Sequence, residues 1–186
     1  GNVSADAVAF SGGGSVTLDE AGNDFNTIAG TSNGVITIRD GDGLTVGTVG
    51  AQTGLTSSGN TINVTTGNNL TVSNAVTAGA GDVNLTSDGN ITSTNDGVAD
   101  ILGATVNLIA KLGGIGAVGA GVEVTATTAL NADTTADNGN IYLDSIGNAP
   151  LGVINAGTGD VNLTSTGNIT DALNTLAANV LGANIS

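Results

Sequence analysis

Cysteine and histidine are both absent from this sequence, and each absence removes a class of chemistry. Without cysteine there are no disulfides and no thiolate metal sites. Without histidine the usual general base and the commonest metal ligand are missing. Lysine and arginine number two in all, Arg39 and Lys111, against sixteen acidic residues, for a net charge of −14. Nucleic acid and anionic lipid both need clustered basic side chains, so neither is an expected partner. The carboxylates are scattered singly and read as a solubilising surface. No apolar run is long enough to span a bilayer, so no membrane insertion is expected of this stretch. The opening GNVSADAV carries no basic n-region, so any export signal is expected to lie outside it. Aromatic residues are limited to Phe10, Phe25 and Tyr142, which leaves the core to Val, Ile, Leu and Ala. A single proline, Pro150, beside 31 glycines points to many turns rather than a collagen or polyproline chain.

What is present is repetition. GDVNLTSDGNIT begins at Gly81 and GDVNLTSTGNIT at Gly159, differing only at Asp88 and Thr166. A looser pattern runs through the whole chain: a glycine followed by two branched aliphatics with one polar residue between them. It begins at Gly14, Gly34, Gly59, Gly81, Gly103, Gly121, Gly139 and Gly159, and a last copy starts at Gly182. The mean spacing of these glycines is 21 residues. Gly-Asn pairs follow eight positions later at Gly22, Gly67, Gly89, Gly147 and Gly167, and predict a corner where the backbone turns left-handed.

Within each copy the apolar period is two, which is the period of a strand. The Gly, Thr and Asn content argues against helix, and with it against a leucine-rich repeat. Further short strands are expected at Leu44–Val46, Leu70–Val72, Ile91–Ser93, Ile101–Leu102, Leu151–Ile154 and Asn179–Leu181. Some twenty residues cannot enclose a core alone, but they can form one turn of a coil whose strands pair with those of the next turn, about 4.8 Å away. The expected fold is therefore all-β: a single parallel β-helix, or β-solenoid, of about eight turns spanning residues 1–186. Residues 1–13 are expected to be an irregular partial turn and 182–186 a truncated one. Inward ladders are predicted through Val16, Ile36, Ile62, Val83, Val106, Val122, Ile141 and Val161. Each such residue, once buried, contributes about 1.5–3 kcal/mol. Leu112–Gly116 reads as a loop or bulge, and the small residues of Ala117–Gly121 as a tight inward corner.

The GDVNLTSTGNIT stretch, the GGIG at Gly113–Gly116 and GNIYLDSIGN followed by GVINAGTGDV resemble the large exported repeat adhesins of the filamentous-haemagglutinin type. The opening VTLDEAGNDFNTIAG and GVITIRDGDGLTVG share the style. The similarity covers most of the chain. It implies a right-handed parallel β-helix, exported to the bacterial surface or beyond, in proteins that serve attachment and biofilm. It transfers no residue-level binding motif.

Several residues are candidate sites. Asp40 and Asp42 in Asp40-Gly-Asp-Gly43 are calcium candidates, set against a plain solvated turn. Asp82 and Asp160 occupy equivalent positions of the twin segments, too many turns apart for paired-carboxylate hydrolysis. Arg39 and Lys111 fall in different turns with no sign of convergence. Asn84, Asn107 and Asn162 share one outward position, held by Thr17 and Thr37 in earlier turns. No cofactor and no catalytic residue is expected. The function expected is that of a non-enzymatic extracellular structural segment, a stalk or fibre element of a bacterial surface adhesin. Its partners would be neighbouring solenoid segments or copies of itself end to end, and a surface glycan or protein of host or bacterium. The alternatives are a lateral face binding glycan or calcium and, third, a polysaccharide-active β-helix enzyme.

Overall fold

A computed structural model describes residues 1–94 and 96–186. Among them there is no helix; strands follow one another from Ser4 to Leu181 and, one short hairpin apart, pair in parallel. The chain coils as a β-solenoid and visits three stacked rows of strands in turn. Row 1 holds Val16–Leu18, Ile36–Asp40, Ile62–Thr66 and Val83–Ser87, then the later parts of Ile101–Ala110 and Val122–Asp133. Ala149–Asn155 and Val180–Leu181 complete it, making eight strands, each 20–26 residues after the last. Row 2 carries Leu44–Val46, Leu70–Val72, Ile91–Ser93, the single bridging residue Ile115, Ile141–Ser145 and Val161–Ser165. Row 3 carries the end of Asp24–Ser32, Leu55–Ser57, Val76–Thr77 and the starts of Ile101–Ala110 and Val122–Asp133.

The core is the set of inward columns these registers create. On row 1, Val16, Ile36, Ile62, Val83, Val106, Leu130 and Leu151 stack in register. On row 2, Leu44, Leu70, Ile91, Ile115, Ile141, Val161 and Ile185 do the same. From Phe25 to Val161 one continuous aliphatic cluster fills the interior. Branched side chains suit this arrangement because each packs on its equivalent in the turn below.

Of the predicted ladder, all but the half-buried Val16 lie in the core, but their columns differ. Val16 to Val106 form one ladder; Val122 opens the strand whose Val124 meets Ile101 on row 3 and itself pairs with Leu143, while Ile141 and Val161 stand on row 2. The glycine-marked pattern drifts from row 1 to row 2 across Gly121 and Gly139, because a row is chosen by pairing between turns and not by the local motif. The twin segments therefore lie on different rows, with Val83 on row 1 and Val161 on row 2.

Three local expectations are corrected. Residues 4–12 are not irregular: Ser4–Gly12 is a strand paired in register with Asp24–Ser32. Ile115, placed in a loop by the flanking glycines, is a fully buried rung bridging Ile91 and Ile141. Ala117–Gly121 is not an inward corner, since Ala117 and Ala120 pair as a small outward loop and Val118 is 82% exposed. That loop and the hairpin Thr48–Val49/Gln52–Thr53 both leave the coil at the junction of rows 2 and 3.

The Gly-Asn corners exist, but for a different reason. Of the five glycines only Gly147 has a positive φ, of 101°. Gly67 is required by approach: a Cβ there would run into the carbonyl group of Gly41, one turn away.

Candidate lateral binding face

The outward side of row 1 carries two parallel columns of side chains. The first is Thr17, Thr37, Asn63, Asn84, Asn107 and Asn131, each one turn from the next. Strand alternation aims these side chains away from the core. The four asparagines form a hydrogen-bonded ladder. Asn84 Nδ2 donates to Asn63 Oδ1 at 2.8 Å, Asn107 Nδ2 to Asn84 Oδ1 at 2.7 Å, and Asn131 Nδ2 to Asn107 Oδ1 at 2.8 Å. At the top of the ladder the Val153 amide donates to Asn131 Oδ1 at 2.7 Å. Asn162, expected in this column, lies on row 2 opposite Tyr142. Asn63 and Asn131 complete the column, and the Leu130-Asn131-Ala132 alternation is the sequence signal for the second.

The second column is Arg39, Thr65, Thr86, Ile109, Asp133 and Asn155. Beside the upper asparagines the face is concave. A cleft of about 360 Å³ is lined by Asn84, Asn107, Asn131, Ile109, Asp133 and Val153 among others. Beside it the register shifts between Leu130 and Ala132, where the facing strand carries one extra residue; Gly152 is buried against the Asn131 side chain and Val153 is exposed. Ile109 and Val153 are 40% and 39% exposed on this cleft. Asp133 Oδ1 accepts from the Thr135 amide and hydroxyl, both at 2.7 Å, which leaves its second oxygen unspent.

Where rows 1 and 2 meet, a smaller polar cleft of about 240 Å³ is lined by Arg39, Asp40, Asp88 and Lys111. Arg39 and Lys111 line opposite ends of this cleft, three turns apart along the stack. Lys111 Nζ is held by Asp88 at 2.8 Å. Asp40, a calcium candidate, is buried, and its carboxylate accepts from the Phe25 amide at 3.0 Å and the Asp42 amide at 3.1 Å. Burial pushes its pKa upward, and the Phe25 hydrogen bond offsets part of that rise. The carboxylate closes the corner, and both its oxygens are engaged with backbone. Among the described residues no group of three or more acidic residues is placed to hold a metal ion.

Asp82 and Asp160 stand on different rows. The carboxylate of Asp82 accepts from the Thr105 amide at 2.9 Å and that of Asp160 from Asn184 Nδ2 at 2.6 Å. Glu123 and Asp100 are both buried acids beside Asp96 and Gly97. Glu123 accepts from the Gly97 amide at 2.6 Å and the Asp96 amide at 3.1 Å, and Asp100 accepts from Thr94 Oγ1 at 2.8 and 3.0 Å. Neither acid was singled out in the sequence, where each appears as one more isolated carboxylate. No protein-family model matches the chain, and no curated protein or solved structure matches it significantly.

Proposed function

We propose that this chain is a rigid, non-enzymatic segment of an exported bacterial surface fibre of the filamentous-haemagglutinin type, wound right-handed. The observation that carries the proposal is the unbroken stack: a single aliphatic cluster runs from Phe25 to Val161, and each turn hydrogen-bonds to the next on up to three rows. Bending such a rod must open strand pairs on one side and crowd core side chains on the other. Eight strands at about 4.8 Å give a length on the order of 40 Å, so many such segments in series would hold a tip well away from a cell. The absence of histidine and cysteine from the sequence supports a mechanical rather than a catalytic role.

Neighbouring solenoid turns, from the same fibre or from a second copy, are the proposed partners. Ile169 and Ile185, beyond Val161, are 54% and 58% exposed, and a further turn stacked there would cover them. The test is immunogold labelling of intact producing cells with antibody to the folded chain. Labelling on fibres or at the cell surface is expected. Labelling that appears only after permeabilisation would overturn the proposal.

A further inference from the structure

We propose that the cleft on row 1 binds a linear, uncharged glycan lying along the rod axis, a role separate from that of a stalk. An asparagine amide has two N–H donors and two acceptor lone pairs. In the ladder Asn84 and Asn107 each spend one donor and one lone pair on their neighbours. One donor and one lone pair per turn remain for a ligand, held rigidly and repeated at the strand spacing of about 4.8 Å. A ligand that meets this array more than once must itself repeat, which points to a polymer with hydroxyl groups along its length.

The cleft also supplies what the C–H faces of sugar rings need. Ile109 and Val153 are the apolar steps, and they are the two exposed large hydrophobic residues that this cleft gathers. The unspent oxygen of Asp133 accepts hydrogen bonds from hydroxyls. Charge decides against a polyanion: the protein carries −14, both cations lie in the neighbouring cleft, and Asp133 is the charged group here. Peptide capture by strand addition is not available either, because the strands beneath the cleft are paired on both edges.

The experiment is NMR titration of the ¹⁵N-labelled chain with neutral hexasaccharides: β-1,4-glucan, β-1,3-glucan, mannan and N-acetylglucosamine oligomers. A heparin-derived hexasaccharide serves as the anionic comparison. At least one neutral probe is expected to give saturable shifts centred on Thr86, Asn107, Ile109, Asn131, Asp133 and Val153. Ile109→Lys and Val153→Lys, both at exposed positions, should weaken that binding tenfold or more while leaving the circular dichroism spectrum and Tm unchanged. Asn107→Leu should weaken it through loss of the ladder. The inference fails if no neutral probe saturates, if the shifts fall elsewhere, if the lysine variants bind as tightly, if only the anionic probe binds, or if the cleft signals change with protein concentration alone.

Discussion

The twin segments offer an internal control for what burial contributes. Gly-Asn-Ile-Thr occurs at 89–92 and again at 167–170, so Ile91 and Ile169 share the same immediate neighbours in sequence. Ile91 is fully buried, stacked between Leu70 and Ile115. Ile169 pairs only with Ala149 and is 54% exposed. Truncating a buried isoleucine to alanine costs about 2–5 kcal/mol, from lost transfer energy and the cavity left in a ladder that cannot collapse across a strand spacing. At Ile169 the vacated space opens to water, so the cost is about 1 kcal/mol or less. For a chain of this size each kcal/mol moves Tm by about 2–4 °C, giving roughly 4–20 °C for Ile91→Ala and a few degrees at most for Ile169→Ala. Urea unfolding followed by circular dichroism measures the difference. Hydrogen exchange should accompany it, because stacked repeats can open piecewise and blur a global midpoint. Equal losses from the two variants, or a loss below 1 kcal/mol from Ile91→Ala, would refute the stacking argument.

Further predictions concern the turns and the acidic corner. Gly139→Ala places a Cβ 2.6 Å from the Gly113 carbonyl carbon and should cost about 1–3 kcal/mol, whereas Gly13→Ala enters open space and should stay within about 0.5 kcal/mol, both read from thermal melts. Burial is the main cause that raises the pKa of Asp100, with the nearby Glu123 and Asp96 charges adding to it and the Thr94 and Ser93 hydroxyls opposing it. A raised carboxyl pKa contributes stability that is fully present below the ordinary carboxylate pKa and is lost as pH rises through the folded-state value. Hydrogen exchange at the Asp96 and Gly97 amides, which donate to Glu123, should therefore quicken as pH rises out of the acidic range, after correction for intrinsic exchange. Asp100→Asn should flatten that dependence; an unchanged slope would contradict it. Lys111→Ala removes a half-exposed ion pair with Asp88 and should cost less than about 1 kcal/mol, an effect abolished by high salt.

The elements were legible in the sequence because each is local. A period-two run such as Val83-Asn-Leu85 declares a strand and its inward face, and glycine placement marks the corners. What one local segment cannot show is which strand of the next turn it meets. GDVNLTS takes row 1 at Val83 and row 2 at Val161, because the intervening turns differ in length. The same gap hid Ile115, whose flanking glycines suggest a loop although the column Ile91–Ile115–Ile141 demands an apolar rung there. Ser4–Gly12 was missed because its side chains are largely exposed, so the alternation that marks the other strands is weak. The lateral face followed this pattern: Asn84 and Asn107 were visible as an outward column, but Val153 joins them only through the pairing of Leu151 and Ile154 with the turn below.

Spin-label distances along one outward column test the stacking most directly, and the absence of cysteine makes site-specific labelling simple. Register runs Arg39, Thr65, Thr86, Ile109, Asp133, Asn155. Labels introduced as cysteines at 39 and 133 should lie about 19 Å apart at the backbone, four strand spacings, and those at 39 and 155 about 24 Å apart, five spacings. A steady increase of one strand spacing per turn is the predicted result. Distances that fail to increase from 133 to 155, or that spread broadly at both, would contradict a rod built from turns stacked in register.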